Sequence, residues 1–284
     1  MKPTAFEYLA PDSSEEAVAL LAEHGEEATV LAGGQSLIPM MNFRIAAPSR
    51  VIDIMRIAEL RVIRSVDGWI EIGAGVRMAQ AEREGGSALL AAALTHVGHP
   101  AIRKAGTVCG SVAHADPAAE LPAVLLALDG EVALRSARGV RVVAADQFFR
   151  SYFTTVREPD ELVVAVRIPA TARRIAFHEV TPRMAGSTGE FATVAVAASA
   201  ERDDAGRFTS VSLGYAGVAE RAIRAPEAEV LLTGGEPTAE AITAAAESAA
   251  SAVDPPVDVH AGREYRRHLV RALTRRALGE LSSP

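Results

Sequence analysis

A short run of β-forming residues, Ala28-Thr29-Val30-Leu31, stops at a glycine pair, Gly33-Gly34, followed by Gln35 and Ser36. Glycine at the end of a strand can take positive φ and lets the backbone approach a ligand closely. Successive N–H groups in such a turn form a concave site for phosphate oxygens. A second segment, Gly106-Thr107-Val108-Cys109-Gly110-Ser111, repeats the recipe and runs into His114-Ala115-Asp116-Pro117-Ala118-Ala119-Glu120-Leu121-Pro122. One glycine pair is most often a plain turn. Two such loops, each with a hydroxyl side chain beside its glycines, suit a ligand carrying a pyrophosphate and a ribose. Gly33, Gly34, Gln35 and Ser36 then supply amides and a hydroxyl from one side, and Thr107, Gly110 and Ser111 from the other. Valine at Gly33 or Gly110 is expected to abolish ligand binding and leave the fold largely intact.

Regular structure is legible around these loops. Residues 13–24 read as a helix, with Ser13 and Glu16 at capping-box spacing and Gly25 as its stop. Val51–Ile54 reads as a short strand, and 60–65 with 69–73 as a hairpin about Asp67-Gly68. Residues 77–105 look helical, broken at Gly85-Gly86 and Gly98. A buried helix over 122–128 precedes a hairpin of 131–136 and 140–143, and 162–168 is an apolar strand stopped by Pro169. Thr171-Ala172-Arg173-Arg174 is the best boundary. Beyond it come long strands at 192–200 and 208–217, then helices at 238–252 and 264–278, an order typical of a separate α+β domain.

Composition narrows the function. A net charge of −7 argues against nucleic acid or anionic membrane as a partner. No apolar stretch approaches a membrane span, and Met1–Phe6 lacks the apolar core of a signal peptide, so the expected location is cytoplasmic. Cys109 is the single cysteine, which excludes an intramolecular disulfide and an all-cysteine iron–sulfur cluster held by this chain alone.

Ala32-Gly33-Gly34-Gln35-Ser36 with Leu37-Ile38-Pro39, then Val51-Ile52-Asp53-Ile54, then Gly106 to Pro122, resembles the FAD-binding medium subunit of molybdenum hydroxylases. This is the family of carbon monoxide dehydrogenase and xanthine dehydrogenase, and the resemblance covers essentially the whole chain. It implies an α+β fold: an FAD-binding domain of the vanillyl-alcohol-oxidase/p-cresol-methylhydroxylase type over 1–170, in subdomains of about 1–55 and 56–170, then a small α+β C-terminal domain over 171–284. The implied cofactor is noncovalent FAD. A molybdenum cofactor on a large subunit and two [2Fe–2S] clusters on a small one complete the implied enzyme, as a dimer of heterotrimers. The cofactor-binding set becomes Leu31, Ala32, Gly33, Gly34, Gln35, Ser36, Leu37, Ile38, Thr107, Val108, Cys109, Gly110, Ser111, Asp116, Glu120, Leu162, Arg183 and Phe191, with no catalytic residue and no metal ligand.

Within that set several roles stay open. Asp116 and Glu120 are both candidates to accept from FAD hydroxyls, and both also suit an acid at a helix N-terminus. Cys109 stands where the family often has glycine and reads as loop packing. Phe191 stands where carbon monoxide dehydrogenases tend to have tyrosine. Arg183 or His178 would place positive charge near the flavin. His114 with Asp116 and Glu120 makes a poor metal site, lacking a second histidine, and His96 and His99 read as a polar helix edge. Arg263, Arg266, Arg267, Arg271, Arg275 and Arg276 read as a solvated face or a subunit contact. No Walker-type loop, dinucleotide fingerprint or nucleophile motif is present. Two rivals are a stand-alone vanillyl-alcohol-type oxidase, for which roughly 110 residues after Arg174 leave little room for a capping domain, and a non-catalytic nucleotide-binding assembly protein.

Overall fold

The computed structural model describes residues 2–182 and 191–283. The N-terminal part starts with β1 (Glu7–Leu9), α1 (Ser14–His24), β2 (Ala28–Leu31), α2 (Leu37–Asn42) and β3 (Arg50–Asp53). Its three strands form a parallel sheet in the order β1-β3-β2. The Ser13 hydroxyl caps α1 by accepting from the Glu16 amide, while the Glu16 carboxylate accepts from the Asp12 amide, a capping box displaced by one residue. Gly25 ends the helix at φ +51°, its N–H donating to Leu21 O.

The second unit contains β4 (Ile63–Val66), β5 (Trp69–Gly73), α3 (Met78–Glu84), α4 (Ala88–Leu94), α5 (Pro100–Ala105), α6 (Val108–His114), α7 (Glu120–Ala127), β6 (Glu131–Ser136), β7 (Gly139–Ala144), α8 (Ala145–Phe148), β8 (Phe149–Ser151), β9 (Thr154–Thr155) and β10 (Leu162–Pro169). An antiparallel sheet runs β4-β5-β10-β6-β7. Asp67 and Gly68 turn its first hairpin with both φ values positive, as a two-residue turn of this hand requires. Gly85-Gly86 and Gly98 do break the 77–105 stretch, into α3, α4 and α5.

Two local expectations need correction. The second glycine segment is not a loop throughout: Val108 to Ser111 form the first turn of α6, capped by Thr107, whose hydroxyl accepts from the Gly110 amide at 3.0 Å. The buried helix starts at Glu120 rather than Pro122, because proline is tolerated in a first turn, where no intrahelical N–H is needed.

The C-terminal part holds β11 (Arg174–Val180), β12 (Val194–Arg202), β13 (Phe208–Ala216), β14 (Ile223–Arg224), α9 (Pro226–Val230), α10 (Ala239–Ala252) and α11 (Arg263–Ser282). The strands form one antiparallel sheet in chain order. Its two faces differ. Ala195, Ala197 and Ala216 join the core built around α4 and α7, whereas Val194, Val196, Leu213 and Tyr215 pack against α10 and α11. The small face lets α7 lie directly on β13: a Cβ on Gly214 would run into the Ala123 carbonyl. β11 has little apolar alternation in its sequence, since Phe177 faces the first core while His178 faces α11.

Candidate cofactor site

The two glycine segments meet face to face. A Cβ built on Gly33 would strike the Ala105 carbonyl and lie 2.5 Å from Gly106 Cα. Gly33 is therefore glycine because backbone packs on backbone, and the expectation that valine there would spare the fold is overturned. Gly34 carries the positive φ, +71°, with Ile38 and Leu31 side chains beneath it. Gly110 lies over Thr107 Oγ1, 2.7 Å from where its Cβ would sit, and also faces Ala32.

Beside this junction opens a cavity of about 540 Å³, within the ~300–1,000 Å³ typical of cofactor clefts. Ala32, Gly33, Gly34, Gln35, Ser36 and Leu37 line it from the first loop, Thr107, Cys109, Gly110 and Ser111 from the second, with Asp116, Glu120, Leu162 and Phe191. Leu31, Ile38 and Val108 do not line it. Leu31 ends β2 and its carbonyl accepts from Ile54, Ile38 packs on Gly34, and Val108 is buried core. Arg183 lies outside the described residues. Among the described residues the amides of Gly33, Gly34, Gln35 and Ser36 donate to no backbone carbonyl, whereas the Gly110 amide is taken by Thr107. The first loop thus keeps its donors for a ligand, and a pyrophosphate fits that donor set.

The acidic residues differ from each other. Asp116 accepts from the Ala118 amide at 2.9 Å, holding its own turn, and burial pushes its carboxyl up against that bond. Glu120 is only 3% exposed and borders the cavity, and burial lifts its carboxyl to about 7. Glu179 on β11 is pushed further, to about 8, by burial and by the Glu120 charge, and among the described residues neither of its oxygens has a hydrogen-bond partner. Cys109 is not loop packing but a helix residue: its thiol donates to Ile72 O at 3.3 Å, and burial drives it to about 12, so it is inert at neutral pH.

Other sequence expectations move. His178 turns away from the cavity, its Nε2 3.0 Å from Glu280 on α11, so it supplies no charge at the site. His96 is exposed just past the end of α4, as a polar helix edge would be, and its ring also packs, tilted by 56°, against that of Phe177 at 5.1 Å. The arginines of α11 are largely engaged within the chain: Arg271 and Arg275 hold Glu247, and Arg276 faces Glu280. Arg266 is buried outright.

Sequence reasoning missed Phe153, Arg157 and Glu161, which also border the cavity. Phe153 sits at φ +52°, donates its amide to Ala115 O, and lays its ring 5.0 Å from that of His114. Arg157 is pinned to the carbonyls of Glu158 and Glu161, each at 2.9 Å. The only signal for them was an aromatic pair, Tyr152-Phe153, in an otherwise aromatic-poor chain.

Residues 4–171 match the family model described as the FAD binding domain in molybdopterin dehydrogenase. Residues 180–281 match that of the CO dehydrogenase flavoprotein C-terminal domain. The chain belongs to the family of FAD-binding medium subunits of molybdopterin dehydrogenases. Subunit alpha of the 6-hydroxypseudooxynicotine dehydrogenase complex of Paenarthrobacter nicotinovorans is 37% identical over 99% of this chain and 95% of its own. The nicotine 6-hydroxylase medium subunit of the same organism is 36% identical over 99% and 98%. A solved chain of carbon monoxide dehydrogenase from Hydrogenophaga pseudoflava superposes with a TM-score of 0.92 at 36% identity, covering 98% of each chain. The medium subunit is thus an α+β FAD-binding domain followed by the family's C-terminal domain.

Proposed function

We propose that this chain is the FAD-carrying electron-transfer subunit of a heteromeric molybdenum hydroxylase, and that it collects electrons from two [2Fe–2S] clusters on a small partner subunit and passes them to an external acceptor. The large partner carries the molybdenum cofactor and selects the substrate, so this chain needs no general base. The carrying observation is the pair of interlocked glycine segments, with unpaired amides on one and a capped helix on the other, opening on a cavity of cofactor size. Family membership and the relatives' names, a dehydrogenase complex subunit and a hydroxylase medium subunit, support the same reading.

In this assignment the FAD-binding domain spans 1–170, with vanillyl-alcohol-oxidase-type subdomains of about 1–55 and 56–170, and the C-terminal domain spans 171–284. The Gly33–Ser36 amides hold the pyrophosphate from one side. Ser111 and the Thr107 hydroxyl, which still has its proton to give, hold it from the other. Glu120 accepts from a ribose or ribityl hydroxyl, and Asp116 chiefly holds the turn that presents it. Leu162 and Phe191, which line the cavity, supply apolar surface against the cofactor. When bound, FAD supplies the step between one-electron clusters and an acceptor. The chain's own residues bind, orient and exclude water. FAD is held noncovalently, since no histidine lies in the first loop. The assembly is a dimer of heterotrimers in the cytoplasm; among the described residues no helix is long and apolar enough to cross a membrane.

The test is purification with native partners followed by metal and flavin analysis. The proposal expects molybdenum, iron and FAD together, and substrate-dependent bleaching of the flavin absorbance. Turnover of an aldehyde or N-heterocycle by the single chain, free of metals, would favour the stand-alone oxidase. A colourless protein would favour the assembly protein.

A further inference from the structure

Arg266 lies on α11, within a run of arginines whose charges suggest solvent, yet it is 4% exposed. One guanidinium nitrogen, Nη1, donates both to the Thr193 carbonyl and, at 2.8 Å, to the Gly217 carbonyl, and Nη2 meets Asp258 Oδ2 at 2.5 Å. Among the described residues Asp258, itself partly exposed, is the one carboxylate partner of this buried cation, and Nε has no hydrogen-bond partner, so the Nη contacts carry the compensation for burying the charge. Both carbonyls belong to chain segments that lead to the cavity.

Thr193 closes the segment that starts at Phe191, whose ring borders the cavity, and its amide donates back to Val180 O at 2.8 Å. Gly217 donates its amide to Pro117 O at 2.8 Å, which ties β13 to the turn carrying Asp116 and leading to Glu120. Gly217 has φ +76°, and a Cβ there would strike Thr193 O and lie 3.0 Å from Ala192 O. Thr193, Gly217 and Arg266 thus form one knot, with no room for another side chain.

We propose that Arg266 is a positioning residue for the cofactor cavity. From behind the C-terminal sheet it fixes Phe191 on one wall, through Thr193, and the Asp116–Glu120 turn on another, through Gly217 and Pro117. Asp258 orients the guanidinium and sits between Val257 and Val259, which are 68% and 95% exposed, so the knot ends at the protein surface. This inference rests on the proposal that the cavity holds FAD.

The experiment compares Arg266→Gln, Arg266→Lys and Tyr215→Phe in the full chain, purified with whatever subunits accompany it. The Tyr215 hydroxyl hydrogen-bonds Thr274 within the same C-terminal core at 3.0 Å, a bond that shares no partner with Arg266, so its variant controls for loss of domain stability. FAD affinity is read by flavin fluorescence titration at a temperature where melting curves show every variant folded. The expected result is at least a tenfold weaker FAD affinity in Arg266→Gln, an intermediate value in Arg266→Lys, and wild-type affinity in Tyr215→Phe. Wild-type affinity in Arg266→Gln, or an equal loss in Tyr215→Phe, overturns the positioning role while leaving the FAD reading intact. A wild-type chain that binds no FAD removes both.

Discussion

The two sides of the cavity are built on different physics. On the glycine side, backbone meets backbone: Gly33 against Ala105 and Gly106, with amides left for an anion. On the acidic side, side chains do the work: burial holds Asp116 and Glu120 and, outside the cavity lining, Glu179 away from their ordinary carboxylate behaviour. The first side depends on shape and is insensitive to pH. The second depends on protonation. A site that splits these tasks should respond differently to steric and to electrostatic substitutions.

The largest effect is expected on the glycine side. Gly33→Val should remove measurable FAD binding and also lower the melting temperature, because overpacking against backbone costs about 1–3 kcal/mol. Gly34→Ala strains a positive φ at about 1–2 kcal/mol and should weaken FAD less. If Gly33→Val melts as wild type, the loops do not interlock as described. Thermal melts and FAD titrations read both.

On the acidic side, Glu120→Ala should weaken FAD by about 1–3 kcal/mol, as expected for a lost hydrogen bond to a charged group. Asp116→Ala should show its loss mainly as a less ordered turn, through the bond to Ala118. Equal effects on affinity and stability in both variants would erase the distinction drawn between them.

The pH dependence separates the two sides most cleanly. Burial lifts Glu120 from 4.5 to about 7, so the folded chain keeps a proton that the unfolded chain releases. Stability of the FAD-free chain should therefore fall as pH rises from about 4.5 to about 7, and Glu179 carries the decline to about 8. FAD affinity should run the opposite way across about pH 7, since an ionised Glu120 is the better acceptor. Glu179→Gln should remove the part of the stability decline that runs on to about pH 8, because a neutral amide has no ionisation for burial to suppress. A flat stability profile in wild type would place these carboxyls in water instead.

The smallest effect belongs to Cys109. Its buried thiol should resist iodoacetamide in the folded chain and react fully in denaturant, and Cys109→Ala should cost about 1 kcal/mol. Rapid labelling of the native chain would expose a looser second segment than described.

Much of this was legible beforehand, and the reasons are local. Capping at Ser13, the Asp67-Gly68 turn and the glycine breaks in 77–105 are short-range signals, and they match the elements formed. The two glycine segments carried the site because their residue types answer to backbone geometry. β11 was not legible as a strand, because Phe177 and Glu179 face one unit and His178 the other, leaving no simple apolar alternation. Arg266 was hidden for a similar reason: its partners are carbonyls of Thr193 and Gly217, distant in sequence, and carbonyls leave no trace in residue type. Phe153 and Arg157 reach the cavity through a hairpin whose placement is set by tertiary contact with Ala115.

The most direct test of the central claim is flavin release. The chain, purified with its native subunits, is precipitated with acid and the supernatant flavin is identified by chromatography. FAD is expected in the supernatant, about one per chain, with a colourless pellet, and strongly reduced FAD in a Gly33→Val preparation. Colour that stays with the polypeptide, or a flavin other than FAD, would contradict it.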